Sequence, residues 1–137
     1  MVTKIEALRP FAALAGRLTL GAIMFAHGWE KVIPHGALYG FCHFVAHNLG
    51  LPYWLGYVSA FTEFFGGLAL ILGILTPVFA LGTAINMAVA VIGVHLRHGL
   101  TGPEGFEFPL SLLVLAMLIL SDGAGWLSLD RILFRGK

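Results

Sequence analysis

Hydrophobic residues come in four long runs, at residues 11–33, 54–75, 78–96 and 106–121, the last continuing toward Leu127. Each is near the ~20 residues with which a helix crosses ~30 Å of hydrocarbon. The breaks carry turn chemistry: Pro34 with Gly36, the Thr76-Pro77 pair, and Gly99 to Gly105 around Pro103. The pattern predicts an all-α integral membrane four-helix bundle, one domain over residues 1–137, with both termini on one side. Between the first two runs, the stretch Gly36 to Gly50 sets Leu38, Phe41, Val45 and, less regularly, Phe44 toward one side. That spacing predicts a short amphipathic helix lying in the membrane interface.

Composition agrees with a bilayer as solvent: 58% of the 137 residues are hydrophobic and 11% charged, with a mean hydropathy of +0.90. The formal charge is +1 and no Lys/Arg run occurs, so nucleic acid is not an expected partner. Cys42 is the single cysteine, which excludes an internal disulfide and any dithiol relay within the chain. Lys4 and Arg9 precede the first run as in a secretory signal, but the run has spanning length and no small-residue cleavage site follows it. It reads as a retained helix. Lys4, Arg9, Arg131, Arg135 and Lys137 outnumber Lys31 and Arg97 at the span ends. The expected setting is therefore a bacterial inner membrane with both termini cytoplasmic. Trp29, Tyr39, Tyr53, Trp54 and Tyr57 mark the outer interface and Trp126 the inner one.

The polar residues inside the runs need a reason to be there. On a helix, Arg17, Gly21, Met24, His27, Gly28 and Lys31 fall within an arc of about 120°. In the second run Glu63 shares a face with Gly56, Ser59, Ala60, Gly66 and Gly67, a small-residue surface suited to close helix packing. The third places Ala80, Ala84, Ala88 and His95 together, with Asn86 nearly opposite and in need of its own partner. The fourth opens with Glu107 and continues through Ser111. Counted in depth, Lys31 and His95 lie near the outer surface, Glu107 slightly deeper, and His27 and Glu63 deeper again. Arg17 stands alone as a structural charge on the cytoplasmic side, to snorkel or to pair with Asp122. Ser128 reads as an N-cap, with Asp130 in the first turn of a short cytoplasmic helix through Ile132 and Leu133.

Arg17-x-x-x-Gly21 with His27-Gly28-x-x-Lys31 resembles the first helix of the DoxX family of small four-helix membrane proteins. The similarity continues through Glu63-x-x-Gly66-Gly67, Leu72-Gly73-Ile74-Leu75-Thr76, His95, Gly105-x-Glu107 and the tail Gly125-Trp126-Leu127-Ser128-Leu129-Asp130. This ordered set covers nearly the whole chain, and His35, His43 and His47 fall outside it. The resemblance implies a membrane partner of an oxidoreductase, since related DoxD-type subunits belong to a thiosulfate:quinone oxidoreductase.

Two readings of the inward polar groups stand side by side. In one, they are a hydrogen-bonded network that fixes helix register. In the other, His27, Lys31, Glu63, His95 and Glu107 form a polar pocket for a quinone. Phe25, Phe61, Phe64 and Phe106 would be its walls, His27, Lys31 or His95 its donors, and Glu63 or Glu107 its proton relay. A metal reading is also open at His35, His43 and His47, because His43 and His47 are one turn apart and could bind with His35 or Cys42. The di-iron Glu-x-x-His pair is absent from the sequence. The expected function is a membrane subunit of a quinone-linked oxidoreductase, with no intrinsic cofactor and a protein partner that carries the redox cofactor. The alternatives are a scaffold or assembly protein without a ligand, and a small-solute transporter, for which homo-oligomerisation would have to supply missing walls.

Overall fold

The computed structural model describes residues 2–134, so Arg135 and Lys137 of the charge balance lie outside the described residues. The helices are α1 (Val2–Glu6), α2 (Arg9–Val32), α3 (Ala37–Asn48), α4 (Trp54–Leu72), α5 (Thr76–Ala90), α6 (Glu107–Asp122) and α7 (Leu129–Phe134). A π turn, Val91–His95, and a 3₁₀ turn, Leu96–His98, prolong α5. Among the described residues there is no strand. Three helical stretches, Lys4–Val32, Trp54–Leu72 and Thr76–His98, are long and apolar enough to cross a membrane. α6 has 16 residues, about one turn short of a ~30 Å hydrocarbon layer. Its buried face nevertheless joins the others in one helical membrane bundle.

Helix ends depart from the hydrophobic runs where backbone geometry overrides apolarity. α4 stops at Leu72 because Gly73 turns left-handed, φ 69°, and Ile74 N donates back to the Ala69 carbonyl at 3.0 Å. α5 starts at Thr76, two residues before the apolar run, since Pro77 fits a first helical turn. α6 ends at Asp122, where Gly123 leaves the helix with φ 76°, and does not continue toward Leu127.

The core lies between α2, α4, α5 and α6: Leu20 and Met24, Leu70, Ala80, Ala84 and Met87, then Leu112, Ala116 and Ile119. The Ala80/Ala84 stripe is thus inward as its spacing predicts. α2 and α4 make the closest backbone approach. A Cβ on Gly21 would stand 2.9 Å from the Gly67 carbonyl oxygen, one on Gly28 would collide with the Phe64 backbone, and one on Gly67 with that of Phe25.

One end of the bundle is tied by Arg17, which is fully buried. Its Nη1 donates to the carbonyls of Leu70 (2.9 Å) and Ile71 (3.3 Å) at the end of α4. Its Nη2 donates to those of Trp126 (3.3 Å) and Leu127 (2.8 Å). The guanidinium satisfies carbonyls that helix termination leaves without partners. It neither snorkels nor pairs with Asp122, whose carboxylate instead accepts from Arg9 at 2.6 Å. That pair sets the start of α2 beside the end of α6, so both helices terminate at the same end of the bundle. Asp130 accepts from Leu75 N (2.6 Å) and Thr76 N (2.8 Å), capping α5. Ser128 Oγ accepts from Arg131 N at 3.3 Å, as expected of an N-cap.

Candidate functional site: a cavity at the end opposite the termini

The polar face of α2 and the small face of α4 converge on one ion pair. Lys31 Nζ stands 2.5 Å from Glu63 Oε2. Glu63 is 3% exposed, on a helix whose neighbouring Gly66 and Gly67 are also buried. A carboxylate so placed needs a cation, and the last turn of α2 supplies it. Lys31 is also held over the Phe41 ring, 4.5 Å from its centroid. Among the described residues Lys31 is the side-chain partner of Glu63.

This pair lies on the wall of a cavity of about 400 Å³ enclosed by α2, α3, α4, α5 and α6, within the ~300–1,000 Å³ usual for small-molecule sites. The lining is mainly apolar, and its polar members are His27, Lys31, Ser59, Glu63, Asn86 and His95. α3 forms the roof through Phe41, Phe44 and Val45. It is seated by Cys42, which is fully buried: a Cβ on Gly56 of α4 would stand 2.7 Å from Cys42 Cα. Burial pushes the Cys42 thiol above its ordinary pKa. The apolar side of residues 36–50 thus covers a chamber.

Asn86, which needs a separate partner by its position, finds one across the cavity wall: its Nδ2 donates to the Ser59 carbonyl at 3.1 Å. His95 sits on the π turn, a rare element that re-aims side chains. Its Nδ1 lies 2.8 Å from the Glu104 carbonyl oxygen. Only a protonated Nδ1 can donate there, so the neutral ring presents Nε2 as an acceptor. The same Glu104 places its carboxylate 3.2 Å from His98 Nδ1.

Of the five predicted pocket residues, four line the cavity: His27, Lys31, Glu63 and His95. His27 is less enclosed than an inward position implies. It is exposed at the α2–α6 seam, with its ring centroid 5.9 Å from that of Phe108. Glu107 is exposed and does not line the cavity. It opens α6, its backbone N–H donating to Leu100 O at 3.0 Å and its carbonyl accepting from Ser111 Oγ at 2.6 Å. The walls differ from the predicted set of Phe25, Phe61, Phe64 and Phe106. Phe25 and Phe64 pack on each other, centroids 5.1 Å apart, beside Trp29 on the outer side of α2 and α4. Phe41, Phe44 and Phe108 take their place. Phe108 follows the charged Glu107, and only the helix's rotation in the bundle turns it to the cavity.

The loop histidines do not assemble a ligand set. His43 and His47 stack at 5.3 Å between centroids, with His43 against Tyr39 at 4.3 Å. Among the described residues no three His, Cys, Asp or Glu side chains converge on one point. His35, on the exposed turn before α3, does not join them.

Comparison with known proteins adds the lineage. The sequence profile of DoxX matches residues 12–96. The chain is 31% identical over 121 residues, 88% of its own length and 86% of the relative's, to a Bacillus subtilis (strain 168) protein bearing the name "Putative oxidoreductase CatD". No solved structure matches the chain significantly. With the profile running from the start of α2 through the π turn and a relative similar along most of its length, the chain belongs to the DoxX family.

Proposed function

We propose that this protein is a membrane subunit of a quinone-linked oxidoreductase, and that the cavity beneath α3 binds a quinone or quinol head. The observation that carries the reading is the pairing of a largely apolar chamber of about 400 Å³ with the Lys31–Glu63 pair on its wall, its carboxylate buried. A flat carbonyl-bearing ring fits that donor set: Phe41, Phe44 and Phe108 offer ring faces, Lys31 Nζ offers an N–H to a carbonyl oxygen, and Asn86 and His95 Nε2 offer further polar contacts. A bound quinone supplies two-electron, two-proton chemistry, with electrons from a partner protein's redox cofactor. The chain's own part is to orient the ring, exclude water beneath α3, and offer the Glu63 carboxyl as the group that takes up or gives a proton. His27, exposed at the α2–α6 seam, is in this reading the group that passes protons between the cavity and the outside. In this reading the protein resides in a bacterial inner membrane with its termini cytoplasmic and the cavity toward the outer face.

A second reading has an observation in its favour, because Lys31–Glu63 also bridges α2 and α4 and would serve a scaffold equally well. Binding of a short-tailed quinone to the purified chain in detergent separates the two. Glu63→Gln keeps side-chain volume and removes the carboxylate, and is expected to weaken binding about tenfold or more with helix content unchanged. Wild-type affinity in Glu63→Gln, or no saturable binding in the unaltered chain, would leave the scaffold reading in possession of the site.

A further inference from the structure

The cavity meets the molecular surface along two seams of different chemistry. Between α2 and α6 the rim carries His27 and Phe108, an imidazole beside an aromatic ring. Between α4 and α5 the rim is mainly aliphatic: Val58, Ile85 and Val89 line the cavity and are also 50%, 57% and 40% exposed, while the Asn86–Ser59 hydrogen bond joins the two helices beside them. A residue that faces both a chamber and the outside marks a mouth. Below this mouth the same two helices close on each other. A Cβ on Gly66 would lie 3.0 Å from the Phe79 ring, and one on Gly82 3.0 Å from Thr62 Cγ2. The α4–α5 seam is therefore shut toward the termini and open beside the cavity.

Depth fixes what such an opening faces. Val58 is about 6 Å along α4 from Trp54, and Val89 about 20 Å along α5 from Thr76. Both ends of that estimate put the mouth below the interface marked by Tyr53 and Trp54 and inside the hydrocarbon, where acyl chains and isoprenoid tails reside. A polar head alone has no business at an aliphatic opening at that level. An apolar tail leaving through it would run mainly against aliphatic side chains.

Resting on the reading of the cavity as a quinone pocket, we infer that its ligand is a long-tailed, membrane-resident amphiphile that is admitted sideways from the lipid. The head lies against Lys31 and Glu63, and the tail runs out between α4 and α5 past Val58, Ile85 and Val89. The His27–Phe108 seam is left for water and protons. A water-soluble, tail-less quinone would be a poor substrate, since it forgoes the aliphatic contacts of the seam.

Two probes test this on the full chain in detergent micelles: a tail-less dimethoxy-methyl-benzoquinone and its decyl derivative, each corrected for micelle partitioning. The unaltered protein is expected to hold the decyl form about tenfold tighter or more. Val58→Trp and Val89→Trp, which fill the seam from positions already open to lipid, should erase that advantage. Unchanged decyl binding in both variants, with the ring still bound, would overturn the lateral mouth and spare the pocket; an unaltered chain that binds neither probe would overturn both. A decyl probe carrying a diazirine at the tail end needs no variant: it should label peptides spanning 55–59 and 85–90. Labelling centred on His27 and Phe108 would show that the tail leaves by the other seam.

Discussion

Lys31 and Glu63 show what a single buried charge imposes on its surroundings. Glu63 is almost fully enclosed while a quarter of the Lys31 side chain remains accessible, so the two partners are not equivalent. Lys31→Met leaves an unpaired carboxylate in an apolar wall and is expected to destabilise by about 3 kcal/mol, the lower part of the range for breaking buried pairs because the lysine is partly exposed. Glu63→Gln, leaving an amide beside a lysine that can turn outward, should be the milder change in a thermal melt. At the other end, Arg17→Lys cannot fork between two pairs of carbonyls. It should lower stability by about 2 kcal/mol or more, and a lysine variant melting with the wild type would mean that water can replace those bonds. Cys42 gives a pH test. Its raised pKa keeps it as a thiol further into alkaline pH than a free cysteine, and it has no exposed surface. Maleimide labelling of the folded protein at pH 8 should therefore be slow and become fast on denaturation. Equal rates would show that α3 lifts freely from α4.

At the level of elements, the bundle is set by where backbones can touch. Gly67→Leu drives a branched side chain into the Phe25 backbone, and should cost about 3 kcal/mol, since the opposing atoms are main chain and cannot swing aside. Gly56→Val presses on Cys42 and should unseat α3. Because α3 is the roof, this change is expected to weaken quinone binding more than it lowers the melting temperature, a split that a purely structural contact would not produce. Asp130→Asn weakens the carboxylate cap on Leu75 N and Thr76 N and should cost about 1 kcal/mol. These effects follow from contacts between elements distant in sequence. Periodicity places Gly21, Gly28, Glu63 and Gly67 on inward faces, but which glycine meets which backbone is a property of the assembled pair.

For the molecule as a whole, the two ends have different work. The terminal end is a lock, in which Arg17, Asp130, Ser128 and the Arg9–Asp122 pair join α2, α4, α5, α6 and α7. The opposite end is hollow, bounded by a π turn, a roof helix and two seams. Such a division allows the hollow end to open without the bundle coming apart. On the proposed orientation, with the basic terminal end on the cytoplasmic side, a reporter fused after residue 137 should be active in the cytoplasm, and one inserted in the loop 99–105 only outside it. The reverse pattern would place the cavity on the cytoplasmic face and require a cytoplasmic proton source.

What the sequence determined by itself is the solvent and the helices, and with them which faces turn inward. A mean hydropathy of +0.90 and apolar runs near spanning length dictate membrane helices, because unpaired backbone groups are too costly in lipid. The spacing of Arg17, Lys31, Glu63 and His95 places ionisable groups inward, because lipid rejects them. The pairings were decided only in three dimensions. Arg17 meets carbonyls freed by the ends of other segments, and no pattern of charges announces a carbonyl. Phe25 and Phe64 go to the outer side while Phe108 enters the cavity, because an apolar ring is equally at home in lipid and in the core, so hydrophobicity carries no sign for which way it faces. His27 and Glu107, counted among the inward groups, stand at the rim and outside it, because spacing along one helix does not say how that helix is rotated against its neighbours. The hollow itself lies where α2, α3, α4, α5 and α6 surround a space that none of them fills, beyond the tight α4–α5 contacts at Gly66 and Gly82. A void has no residues of its own, so only the packing of the helices around it could define it.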